Sequence, residues 1–336
     1  MRVDTFGTDG LGGSRAAAQA AEALGFDGYW AGEAGHDPLL AAGGAIDASA
    51  RLTVGTGITV AFARTPMTVA QAAWDLAKTS GGRFVLGLGT QVKAHITRRY
   101  GMPWGDPVPR MRDFVGATRA IFRAYQTGEP LRYEGEYYRH TLLTPFFNPG
   151  PIEHPDVPLA LAAVGTQMAE LAGELFDGIF IHPFTNVAYI DKVTVPSLRA
   201  GARRAGRDTV PWVFGYTFLI VGDTDEELAA CELEVRKRLA FYASTPDYVD
   251  VLAAVGFADL QPELRALVRA EDWDRLPSVL TDELLDHFAL KGTLEELPAL
   301  INERFRGRCD RLASYLPLPE TDPDRLREFV AAVRRG

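Results

Sequence analysis

The sequence predicts an α/β fold, a (β/α)8 TIM barrel with insertions after strands four and seven. Three observations lead there. Eight short strand-like runs recur along the chain. Most are followed by a stretch with helical periodicity, and no Pro/Ser-rich linker divides the sequence. There is no repeat or low-complexity tract that would suggest a solenoid. Residues 1–336 are therefore read as a single domain, with insertion segments at about 90–108, 130–157 and 244–292.

The elements follow in order. The first strand is Arg2 to Phe6, and a helix from about Ser14 to Leu24 stops at Gly25. Gly28 to Ala31 is the second strand, followed by a helix from about Pro38 to Ser49. The third, Leu52 to Val60, carries Gly55 and Gly57 in its interior. Glycine inside a strand gives up packing, and it marks a bulge, a bend or a close approach to the main chain. Pro66 opens a helix with Val69, Ala73 and Leu76 on one face, and Gly81 and Gly82 end it. The fourth strand, Phe84 to Leu88, leads into an excursion too long to be a plain connector, then a helix near Pro109 to Thr127.

Leu131 to His140 has a Glu134-Gly135 turn between Tyr-rich arms and predicts a hairpin, followed by a Pro-rich loop through Pro158. Leu159 to Ala163 is the fifth strand, Thr166 to Phe176 a helix, and Gly178 to His182 the sixth strand. A helix from about Val187 to Ala205 precedes the seventh, Trp212 to Val221. Thr224 with Glu227, and Thr293 with Glu296, have the spacing of capping boxes. Residues 244–292 between them read as a helical insertion. Arg311 to Leu316 is the last strand, and Asp322-Pro323 starts a closing helix with Leu326, Phe329, Val330 and Val333 inward.

Composition narrows the function. A formal charge of -9 opposes nucleic acid and anionic membranes, both of which need a cationic surface, so the expected partner is a small-molecule substrate. The longest strongly apolar run, Trp212 to Val221, is too short to span a bilayer as a helix, and MRVDTFGTDG has no apolar signal core. Cys231 and Cys309 are isolated, which predicts reduced thiols and a cytoplasmic location.

A barrel presents its chemistry at the C-terminal ends of its strands. Strand two ends in AGEAGHDP with Glu33, His36 and Asp37. Strand four ends in GLGTQVKAH with Thr90, Gln91, Lys93 and His95. Strand five ends in AAVGTQM with Val164, Gly165 and Thr166, and strand six in IHPF at His182. Each of these alone reads equally well as a cap, a loop hydrogen bond or a salt bridge. The VGT turn offers unpaired N–H groups to an anion, or is an ordinary turn that uses glycine for a positive φ. GTDGLGG, GTGITV and GLGTQV each fall short of a dinucleotide fingerprint, although Glu33 stands where a ribose-binding acid would, which keeps a nicotinamide-binding fold as an alternative. The six histidines are scattered singly, so no metal site is expected, and there is no nucleophile elbow or P-loop.

Three segments, AEALGFDGYWAGEAGHDP, RLTVGTGITVAFARTPMTVAQAAWDLAKTSGGRFVLGLGT and PLALAAVGTQMAELAGELFDGIFI, together resemble the luciferase-like monooxygenase superfamily. DHFALKGTLEELPALI resembles its late helix, while QVKAHITRRYGMPW, YYRHTLLTP and FYASTPDYVDVL are similar to an F420-dependent oxidoreductase subgroup. The resemblance implies a flavin-like ring in the barrel mouth, with coenzyme F420 as cofactor and FMN as the alternative. It places a non-prolyl cis peptide at Gly57-Ile58 against the ring, Thr90 and Gln91 along the cofactor cleft, and Val164, Gly165 and Thr166 at its phosphate.

The chemistry so implied is hydride transfer between the deazaflavin C5 and a small organic substrate. His36 is the first choice for proton transfer, Glu33 its partner and His182 the second candidate. With FMN the enzyme would instead be a monooxygenase, and a non-catalytic flavin-binding protein is the alternative of another class. Relatives are commonly dimers, which implies a homodimer. Tyr100, Trp104, Tyr137 and Phe146 read either as a substrate lid or as packing of the insertions.

Overall fold

In the computed structural model, which describes residues 1–318 and 322–336, strands form at all eight predicted positions. They are β1 (Arg2–Gly7), β2 (Gly28–Ala31), β3 (Thr53–Thr56), β4 (Phe84–Gly89), β5 (Leu159–Ala163), β6 (Gly178–Ile181), β7 (Trp212–Val221) and β8 (Arg311–Ser314). Contacts group the chain into two compact units. The first comprises residues 5–180 with 198–211, the second residues 1–4, 181–197 and 212–336.

In the first unit β2, β3, β4 and β5 pair side by side, all parallel. Trp30 of β2 meets Phe180 of β6 edge to face, ring centroids 5.0 Å apart. These two large rings need room from their neighbours, and glycines supply it. A Cβ on Gly55 would lie 2.4 Å from the Trp30 ring, and one on Gly87 would lie 1.9 Å from the Thr56 carbonyl oxygen and 2.8 Å from Phe180. The glycine inside the third strand therefore makes space for an indole. Gly87→Ala should destabilise by at least the roughly 1–3 kcal/mol typical of overpacking, because its obstacle is backbone that cannot swing aside. A urea midpoint unchanged in that variant would disprove this account of the packing.

The predicted third strand is broken in two. The Gly57-Ile58 peptide bond is cis, and Thr59–Val60 resumes pairing only against Leu88 and Gly89 of β4. The hairpin forms with Tyr133 opposite His140 and Glu134 opposite Arg139, so its loop is residues 135–138 rather than a Glu134-Gly135 turn. Asp113, on the helix Pro107–Thr127, is the cause. Its carboxylate accepts from the Tyr133 hydroxyl and from the N–H groups of Tyr137 and Tyr138, which draws the loop down onto the helix. The first helix also starts early, at Leu11, because Ser14 is no cap. Its buried hydroxyl donates to the carbonyls of Leu11 and Ala41.

In the second unit β8 lies between two parallel partners, with Arg2, Val3 and Asp4 of β1 on one side and Phe214 to Thr217 of β7 on the other. Asp4 and Arg311 form a bidentate ion pair at 2.6 and 2.9 Å, with side chains 0% and 6% exposed. The last four residues of β7 pair with a further strand, Ala289–Gly292. That strand corrects the reading of 244–292 as wholly helical. Four residues show no period of their own, and they are extended because the long β7 offers them an unpaired edge.

Candidate active site

The end of β2 is organised around one carboxylate. Glu33, whose side chain is 4% exposed, accepts the Val60 N–H at 2.7 Å, the Arg64 Nη1 at 2.8 and 3.0 Å, and the Tyr100 hydroxyl at 2.7 Å. Arg64 also donates through Nη2 to Asp37 at 2.7 Å. Asp37 in turn caps the helix Pro38–Asp47 by accepting from the N–H groups of Leu39 and Leu40. Burial alone would lower the Arg64 pKa, but hydrogen bonds and charge from Glu33 and Asp37 outweigh it and raise it. Burial would likewise raise Asp37, yet Arg64 and the two N–H groups hold it below the usual carboxylate range. Burial, then the bond to Glu33, pushes Tyr100 up to about 12, so it remains a donor. A carboxylate accepting this many bonds is held in one position.

His36 is exposed, and its ring lies against Gly10, where a Cβ would come within 3.1 Å of Nδ1. Among the described residues Glu33 is bonded to Val60, Arg64 and Tyr100, so the expected partnership of Glu33 with His36 does not form. Arg64 has taken the carboxylate. Sequence reasoning did not single out Arg64, although two acids four residues apart called for a nearby cation. Tyr100, read as a lid or as packing, is instead a ligand of Glu33.

Thr90 and Gln91 follow β4 as predicted. Gln91 has φ 58°, and its Oε1 accepts from the Val92 N–H at 2.9 Å. Gly165 precedes the helix Thr166–Leu175 with φ -77°, so the reading that required a positive φ there is corrected. No side chain caps this helix, and a Cβ on Gly165 would meet nothing within 4 Å. Gly165, Thr166 and Gln167 at its start are exposed, beside the half-buried Val164.

A family model for luciferase-like monooxygenases matches residues 5–311. The chain belongs to that family. An uncharacterized protein of Mycobacterium tuberculosis is 44% identical over 297 residues, covering 88% of this chain and 87% of that protein. The 5,10-methylenetetrahydromethanopterin reductase of Archaeoglobus fulgidus is 27% identical over 80% of this chain and 77% of its own. The structure of a coenzyme F420 dependent tetrahydromethanopterin reductase from Methanopyrus kandleri superposes with a TM-score of 0.80 at 19% identity, covering 99% of this chain and 97% of that one. That likeness shows the fold to be the (β/α)8 barrel expected from the sequence.

The groups that this luciferase-like chain presents suit the cofactor implied by the resemblance. Thr59, 0% exposed and two residues beyond Gly57, has a buried hydroxyl with no hydrogen-bond partner among the described residues. Gly89 has no side chain because Ile58 lies over it, its Cδ1 2.6 Å from where a Cβ would be. No side chain caps the helix that begins at Thr166, and uncapped N–H groups at a helix start are of the kind that suit an anion.

His182 follows β6 and stands in the second unit. Its Nδ1 accepts the Phe184 N–H at 3.0 Å, which leaves the ring proton on Nε2. Burial holds the imidazole down to about 4, against 6.5 ordinarily. The folded protein thus stays unprotonated there while the unfolded chain takes up a proton. The resulting stability is complete above about pH 6.5 and is lost as pH falls through 4, at up to ~1.4 kcal/mol per unit and about 3 kcal/mol in all. His182→Gln should flatten that part of the melting-temperature profile between pH 7 and 4. An identical slope in variant and parent would rule it out.

Proposed function

We propose that this protein is an F420-dependent oxidoreductase acting on a small organic substrate. The observation that carries this reading is the end of β2, where the hydrogen-bonded Glu33 carboxyl group stands three residues before an exposed imidazole, in a chain related to methylenetetrahydromethanopterin reductases. Bound coenzyme F420 supplies hydride donation or acceptance at its deazaflavin C5. Gly57, Ile58, Thr90 and Gln91 hold the ring system, and the Val164, Gly165 and Thr166 turn receives the phosphate through backbone N–H groups. Glu33 fixes Arg64 and the Val60 main chain. His36 gives or takes the substrate proton at a ring nitrogen. The working unit is a cytoplasmic homodimer that binds neither nucleic acid nor membrane.

Titration of the purified chain with coenzyme F420 and with FMN, followed by fluorescence, tests the assignment. Saturable micromolar binding of F420 without FMN binding is expected. The reverse pattern would overturn it in favour of an FMN-dependent monooxygenase. His36→Ala should keep F420 affinity and lose turnover, an outcome a non-catalytic flavin-binding protein has no means of showing.

A further inference from the structure

One buried cation of the first unit has no acid to balance it. Arg110, in the first turn of the helix Pro107–Thr127 and 6% exposed, forms no ion pair with any described carboxylate. Its guanidinium lies over the Phe62 ring, 4.3 Å from the centroid. Nη1 donates to the Pro103 carbonyl at 2.7 Å, and Nε donates to the Tyr138 hydroxyl at 3.1 Å. One planar group therefore grips three segments, the turn Ala61–Ala63 after Val60, the excursion that follows β4, and the hairpin loop. The neighbours pack closely around it. Trp104 meets Phe62 edge to face at 6.1 Å, Phe114 meets Tyr138 at 5.5 Å, and a Cβ on Gly105 would lie 3.0 Å from the Tyr137 ring. Asp113, one turn further along the same helix, is taken up by the Tyr133 hydroxyl and the N–H groups of Tyr137 and Tyr138. It shapes the hairpin loop and leaves Arg110 without a counter-ion.

A desolvated guanidinium without a counter-ion is a costly way to fill space, and an apolar side chain of similar size would avoid the penalty. What arginine adds is direction. Its rigid fork stacks on a ring by its face while donating from its edge, which the point charge of a lysine does not do. We propose that Arg110 is a positioning residue for the strand end that meets the cofactor, acting through Phe62 on the main chain of residues 57–64. Glu33 and Arg64 already hold that stretch by its backbone, at the Val60 N–H and, at 3.2 Å, the Val60 carbonyl. Phe62, its one aromatic side chain and 0% exposed, is held by Arg110. Ile58 lies four residues before Phe62, so a displaced ring passes its shift to Ile58 along a chain with no loop to absorb it. The same guanidinium sets the excursion and the hairpin in register with this stretch. The proposal rests on the oxidoreductase reading only in counting Gly57 and Ile58 as contacts of the cofactor ring.

The test uses Arg110→Lys, which keeps the charge and loses the planar fork, and begins with amide hydrogen exchange on the full chain without cofactor. Residues 58–64 should exchange roughly three- to tenfold faster than in the parent, the worth of a cation–π contact and a hydrogen bond, while β5 keeps the parent's rate. A role confined to global stability would speed both. That result, or unchanged exchange at 58–64, would overturn the proposal. Should Arg110→Lys fail to fold, Tyr138→Phe, which removes only the acceptor of Nε, should speed the same amides, and no change there is equally decisive. Cofactor affinity gives the second measurement. Arg110→Lys and Phe62→Leu should each weaken F420 by about three- to tenfold, and the double variant should lose no more than the weaker-binding single. Affinity unchanged in Arg110→Lys, or fully additive losses, would show that Arg110 does not act through Phe62. If FMN proves to be the ligand, the same cycle is run with FMN. The exchange measurement needs no cofactor, so its failure bears on Arg110 alone and failure of the F420 titration bears on the oxidoreductase reading alone.

Discussion

Asp4→Ala is expected to lower the unfolding free energy by about 3–5 kcal/mol, the range for removing one partner of a buried ion pair. Asp4 and Arg311 face each other from adjacent parallel strands, and the carboxylate meets Nε and Nη2 of the guanidinium with two near-parallel bonds. Neither group reaches solvent appreciably. Removing the carboxylate takes from a buried guanidinium the group that accepts from its Nε and Nη2. Asp4→Asn keeps the shape and one acceptor, so it should cost less than alanine. Replacing both residues with Leu and Met should recover much of the loss, because the desolvation penalty of the pair disappears with its attraction. Urea denaturation gives all four values. A loss below about 1 kcal/mol for Asp4→Ala would mean that water reaches Arg311.

Most strands were legible as short β-branched or aromatic runs near glycine or proline, while Leu159–Ala163, which has neither residue type, is marked by Pro158 before it and Gly165 after it. The helix starts were legible because Pro38, Pro66 and Pro323 follow capping side chains. Features that depend on residues distant in sequence were not. Ala289–Gly292 is a strand only because Phe218–Val221 is beside it, and the hairpin loop is shaped by Asp113 on another element. The site divides in the same way. That Glu33, His36, Thr90, Gln91 and the Gly165 turn end their strands follows from chain order. That Arg64 and Tyr100, 31 and 67 residues further on, engage Glu33 is a tertiary fact with no local signal.

That division separates Glu33 from His36 experimentally. Glu33→Ala strands the Arg64 charge, with Asp37 its remaining carboxylate, and leaves the Val60 N–H and the Tyr100 hydroxyl without their acceptor. The cost should approach the ~3–5 kcal/mol of a broken buried pair, moderated because Asp37 still neutralises the guanidinium. Glu33→Gln preserves an acceptor for Val60 and Tyr100 but loses the charge, so it should fall between alanine and the parent. Since Glu33 fixes the main chain just beyond Gly57 and Ile58, both variants should also bind F420 less tightly, alanine by more than tenfold. His36→Ala, an exposed truncation, should leave the melting temperature within a degree or two and F420 affinity intact while turnover falls. If Glu33→Ala melted with the parent and kept its cofactor affinity, the carboxylate would not be the organiser of this strand end.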